Sequence, residues 1–105
     1  MIMNAHFRLT VERLASSADV QDQYLRQLGT APSADELALE FSDALESARG
    51  NLPEALREAA AALDRQLDLM SGDANASLWN LDALRVSPEW KKVRELAVGL
   101  LGCMD

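Results

Sequence analysis

The chain has 105 residues and a formal net charge of −7, a balance that argues against nucleic acid or an anionic membrane as its main partner, because both call for positive surface. Its 49% hydrophobic content fits one folded domain spanning 1–105; only 5% is aromatic, so Leu and Ala fill most of the core, and few Pro and Gly lean the chain towards helix. A single cysteine precludes an internal disulfide, and with no signal-type segment at the start and no apolar run near the roughly 20 residues of a membrane span, the expected location is the cytoplasm.

Residues 4–28 come first. Phe7, Val11, Leu14, Ala18, Gln21, Leu25 and Leu28 alternate four- and three-residue steps, a heptad seam with one polar member. No Pro or Gly interrupts the chain before Gly29. The first reading is one continuous helix, in which Gln21 could fix the register of a pairing with another helix. The rival reading breaks it at Ser16–Ser17, with Ser17 capping a second helix whose face is Val20, Tyr24 and Leu28. Gly29 is placed to be the C′ residue, and Thr30–Ser33 forms a turn that Pro32 enforces.

Ser33 and Glu36 have the spacing of a capping box, which starts a helix running to about Arg49. Its stripe is Ala34, Leu37, Ala38, Phe41, Ala44, Leu45 and Ala48; Leu39 lies off it. Asn51 is the candidate N-cap of the next helix, with Glu54 again in capping-box position. From Pro53 to Met70, the residues Leu56, Ala59, Ala60, Leu63, Leu67 and Met70 occupy one stripe, while Glu54, Arg57, Glu58, Asp64, Arg65 and Asp68 take the other side. Leu69 is the exception. The short connection predicts that these two helices are antiparallel neighbours, with the rest of the chain packed around 53–70. Residues 71–75 read as a loop. A helix of two to three turns is expected over 75–85, carrying Leu78, Trp79, Leu81 and Leu84. Ser87 as N-cap and Pro88 at N1 start a final helix with Trp90, Val93, Ala97, Leu100, Leu101 and Met104 on one side, fraying near Gly102. The expected fold is therefore all-α: an up-down bundle of three longer helices closed by two short C-terminal ones.

Residues capable of chemistry are sparse. His6 is the only histidine and has no companion ligand in sequence. Cys103 follows a helix C-terminus, whose dipole disfavours a thiolate, and reads as a partly buried structural thiol. Asp35, Glu36, Glu40, Asp43 and Glu46 run along the outer side of the second helix and read as a solvated face; a divalent cation is the alternative occupant. Nucleotide-binding, hydrolase and metalloprotease motifs are absent. No catalytic, cofactor-binding or metal residue is assigned.

What remains points to contact with other proteins. Leu39 and Leu69 are off-stripe apolar residues, Trp79 points away from its neighbours Leu78 and Leu81, and Lys91, Lys92 and Arg94 form, with Arg85, a basic cluster in an acidic chain. These are the candidate partner-binding residues. The basic cluster has a plainer reading as pairing with the acidic face of residues 34–49. The leading expectation is a non-enzymatic interaction module, a homodimer or a subunit bound to another protein chain. An acidic inhibitor of a basic partner comes second, and a small metal-binding protein or enzyme third.

Overall fold

The computed structural model describes residues 5–28 and 33–104, except the side chain of Arg49. Among them are six α-helices and two 3-10 segments and no strand: α1 Ala5–Ala15, α2 Ala18–Leu28, α3 Asp35–Ala48, a 3-10 turn Arg49–Asn51, α4 Glu54–Leu69, a 3-10 segment Asp73–Trp79, α5 Leu81–Val86 and α6 Pro88–Met104. Gly29 and the turn at 30–32 lie outside the described residues.

The all-α class stands, but the count of three longer and two short helices does not. The first helix is broken, as the rival reading had it. The Ser16 hydroxyl donates to the Glu12 carbonyl (2.7 Å), while the Ser17 hydroxyl accepts the Val20 amide (3.3 Å) and the Ser17 carbonyl accepts that of Gln21. Two adjacent serines thus offer the backbone local partners that end one helix and begin another. The last helix, expected to be short, is the longest at 17 residues. Between them, 75–85 is not one helix. It is 3-10 as far as Trp79, and the Asn80 side chain then accepts the Ala83 amide (2.7 Å) to start α5.

The apolar stripes decide the packing. Phe7, Val11 and Leu14 of α1, Leu37, Phe41 and Ala44 of α3, Leu56, Ala60 and Leu63 of α4, and Trp90, Val93, Ala97 and Leu100 of α6 are buried in one core. Each buried Leu is worth about 1.5–3 kcal/mol. The expected centre was 53–70; the observed centre is the pair α1 and α6. α6 packs most extensively on α1 and α4, and α1 also carries α3, so the long helices neighbour one another in the order α3, α1, α6, α4. Consequently α3 and α4, expected to be neighbours, make little contact. The 3-10 turn between them and the extended Leu52 (φ −84°, ψ 134°) redirect the chain, and each helix spends its stripe on a different central helix.

Two caps also differ from expectation. Ser33 accepts the Asp35 amide (3.2 Å) rather than that of Glu36, which goes to the Ser33 carbonyl. Asn51 lies within the 3-10 turn, and α4 starts after Pro53 with no side-chain cap. Ser87 caps α6 as expected, accepting the Trp90 amide (3.2 Å). The loop after α4 turns through Gly72, whose φ of 99° suits only glycine. It is tied down by Asn75, which donates to the carbonyls of Leu69 and Ser71, and by the Ser71 hydroxyl on the Leu67 carbonyl.

Candidate interaction surface

α2 is assembled in the reverse of the usual sense. Its buried residues are Gln21, Asp22 and Leu25, two of the three polar. Gln21 Nε2 donates to the carbonyls of Arg13 and Leu14, 3.0 Å each, and so closes the C-terminal end of α1. Its Oε1 accepts from Arg94 of α6 (3.2 Å), which also donates to the Leu84 carbonyl (2.9 Å) at the end of α5. Burial pushes the Arg94 pKa down. Asp22 receives Arg85 of α5 (2.7 Å) and Arg26 of α2; these guanidiniums hold its carboxyl below the usual range. Arg85 also pairs with Asp19. A third cluster joins α1, α2 and α3: Glu40 accepts from Arg13 (3.1 Å) and from the Tyr24 hydroxyl, and the Arg13 guanidinium lies 4.1 Å from the centre of the Tyr24 ring. Burial, then the neighbouring Glu40 carboxylate, push the Tyr24 pKa up to about 12. No buried side-chain polar atom lacks a partner among the described residues.

α2 thus turns Gln21 and Asp22 inward beside Leu25, and two of its apolar residues are left outside. Val20 is 52% and Leu28 47% exposed, with half-buried Tyr24 between them and exposed Gln23 and Gln27 alongside. Of the face that the broken-helix reading gave this helix (Val20, Tyr24, Leu28), Tyr24 packs against the core while Val20 and Leu28 are exposed.

A second surface lies where α3 meets the 3-10 segment. Trp79 is half-buried there and held at three points. Its indole N–H donates to the Met70 carbonyl (2.8 Å), its ring meets Trp90 edge-on at 5.4 Å, and its own carbonyl accepts the Ala34 amide (3.0 Å). Trp90 is fully buried and donates to the Leu78 carbonyl. Beside Trp79 opens a groove of ≈ 490 Å³ lined by Ala38, Leu39, Ala76 and the carboxylate-bearing Asp35 and Asp73. Leu39 is 56% exposed.

The structure thus brings together two of the sequence-designated residues, Leu39 and Trp79, and disperses the others. Leu69 is 70% exposed near the end of α4 and does not line this groove. Lys91 and Lys92 are exposed on α6, but Arg94 is turned inward to Gln21. The basic cluster does pair within the chain, through Arg85 with Asp19 and Asp22 of α2. Cys103, expected to be partly buried, is exposed, as is His6. No group of three or more His, Cys, Asp or Glu side chains able to hold a metal occurs among the described residues, and no described helix is long and apolar enough to cross a membrane.

Gln21, Asp22 and the Arg13–Tyr24–Glu40 cluster were not picked out by sequence reasoning as parts of an internal network. The usable signal was the pair Ser16–Ser17: once the helix breaks there, Gln21 falls beside the freed carbonyls of α1. No protein-family model matches this chain, and no curated protein or solved structure matches it either.

Proposed function

We propose that this chain is a non-enzymatic protein–protein interaction module of the cytoplasm, with α2 as its contact helix. The reversal of α2 carries the reading. A helix that meets its own core with Leu25 and the polar Gln21 and Asp22 leaves Val20 and Leu28 for a surface outside it. The strip Val20, Gln23, Tyr24, Gln27 and Leu28 bears no formal charge at neutral pH. In a chain of net charge −7 that neutrality matters, because two copies repel over most of their surface and approach at least cost along an uncharged strip. The proposed occupant is a second copy, α2 against α2 about a two-fold axis, so that the strip meets itself. An 11-residue helix on each side makes a small interface, below the roughly 1,200 Å² of stable complexes, so the dimer dissociates on dilution.

Light scattering across a wide concentration range tests this. The mass is expected to rise from 11.5 kDa towards twice that value, and the variant Val20→Lys/Leu28→Lys is expected to stay at the lower mass. A single-chain mass throughout, or a dimer indifferent to the two lysines, would refute it. The reading as an acidic inhibitor of a basic partner is favoured by a different observation, the two carboxylates of the α3 groove.

A further inference from the structure

We propose that the groove between α3 and the 3-10 segment Asp73–Trp79 is a docking site for a segment of another protein that presents a large apolar side chain flanked by Lys or Arg. This goes beyond the α2 reading and rests on other residues. The apolar half of the recognition is Leu39, Ala38, Ala76 and the ring of Trp79, with ≈ 490 Å³ between them. A space of that size receives one or two large side chains. The floor is fixed in advance: Trp79 is anchored by its indole N–H and by Trp90, and the turn beneath it by Asn75 and Ser71. A floor that is already ordered costs little further entropy on binding.

Charge selects the occupant. The ionisable residues lining the groove are Asp35 and Asp73, both exposed carboxylates, and no cation lines it. The positive end of α3 is already met by Asp35 and Glu36 in its first turn, so an anion arriving there would face carboxylates. Two other apolar depressions among the described residues differ. The cleft of Leu45, Leu52 and Ala61 carries one charge of each sign, Arg57 and Asp64, and the shallow site at Val98 is lined by Lys91, Arg94 and Glu95. Only the α3 groove, of these three, joins an exposed large apolar residue to charge of a single sign. A lysine or arginine on each side of the inserted residue meets Asp35 on one wall and Asp73 on the other, and the same field steers a basic partner in and turns an acidic one away.

The test is selection of peptides from a random 12-residue display library on the immobilised full chain, with affinities of the selected peptides then measured by fluorescence anisotropy. The selected peptides are expected to share a large apolar residue flanked by Lys or Arg. Their affinity should fall about tenfold or more with Leu39→Lys and with Asp35→Asn/Asp73→Asn, weaken with added salt, and be unchanged by Val20→Lys/Leu28→Lys. Leu39, Asp35 and Asp73 are exposed, so circular dichroism should find these variants folded, with at most a small drop in melting temperature from the charge lost at the start of α3. The proposal is overturned if no peptide is enriched, if the enriched peptides are neutral or acidic, or if the groove substitutions leave affinity unchanged. Loss of binding to the α2 variant alone would assign the peptides to the α2 strip and equally overturn it. Because the α2 dimer is read by mass and the groove by peptide affinity, either can fail without the other.

Discussion

α4 and α2 fill their inner faces differently. α4 turns Leu56, Ala60, Leu63 and Leu67 into the core and its charges to solvent. α2 turns Gln21 and Asp22 inward and leaves Val20 and Leu28 about half exposed. The difference lies in what each helix meets. α4 lies along α6, a surface of Trp90, Val93, Ala97 and Leu100 that only apolar side chains can cover. α2 lies across the C-terminal end of α1 and beside α5, where there are open carbonyls and arginines. A buried carbonyl without a partner costs more than an exposed valine, so Gln21 turns inward.

The contrast can be broken most violently on α4. Leu63 is fully buried, and Leu63→Asp places a carboxylate where no cation waits. The cost, about 5 kcal/mol or more, is comparable to the whole stability of a domain this size. No cooperative thermal transition should survive; a retained one would show that Leu63 is not core. A gentler cut is Leu63→Ala, expected to cost about 2–5 kcal/mol in chemical denaturation. On the same helix, Leu69→Gln should move stability by no more than about 0.5 kcal/mol, since the side chain is 70% exposed. A large loss there would mean that Leu69 packs against something.

The polar side is read by pH. Tyr24 is the only tyrosine, so the ultraviolet absorbance of its phenolate reports one group. Its midpoint should lie near 12 in the folded chain, and Glu40→Gln should bring it down towards the ordinary 10. The folded value is raised, so the associated stability is fully present below pH 10 and is lost as pH climbs through 12. Asp22 works in the other direction. Its folded pKa is depressed by Arg85 and Arg26, so its contribution is present above the ordinary carboxylate range and is lost as pH falls through the folded value. Asp22→Asn should therefore flatten the acid limb of the stability curve, and an unchanged limb would say that the carboxylate is not held by these arginines.

The stripes of α3, α4 and α6 were legible in the sequence because burial on a core-facing helix follows 3.6-residue spacing and needs no knowledge of the partner. Leu39 and Leu69 were legible as exposed residues by the same token. α2 was not, because what orients it comes from far along the chain: Arg85 lies 63 positions after Asp22, and Arg94 lies 73 after Gln21. Of the seam through Gln21, Phe7, Val11, Leu14, Gln21 and Leu25 are buried, but Ala18 is half-buried, Leu28 is exposed and the helix that would carry it is broken at Ser16–Ser17. Its polar member serves to close α1 within the chain. The separation of α3 from α4 was hidden in the 3-10 turn at Arg49–Asn51, whose shortness suggested neighbours. Of the groove, Leu39 and Trp79 could be named in advance. The pairing of Asp35 with Asp73 could not, because it depends on a 3-10 segment where a loop was expected.

Thermal unfolding of Gln21→Leu beside Val20→Gln/Leu28→Gln is the most direct test of the reversal of α2. An ordinary amphipathic helix would gain from an apolar residue inside and lose from polar ones in its apolar face. In the reversed helix, Gln21→Leu leaves two α1 carbonyls and Arg94 short of a partner and should cost about 1–3 kcal/mol, while the double variant should stay within about 0.5 kcal/mol of the parent. A stabilised Gln21→Leu together with a destabilised double variant would contradict the reversal and, with it, the use of α2 as a contact helix.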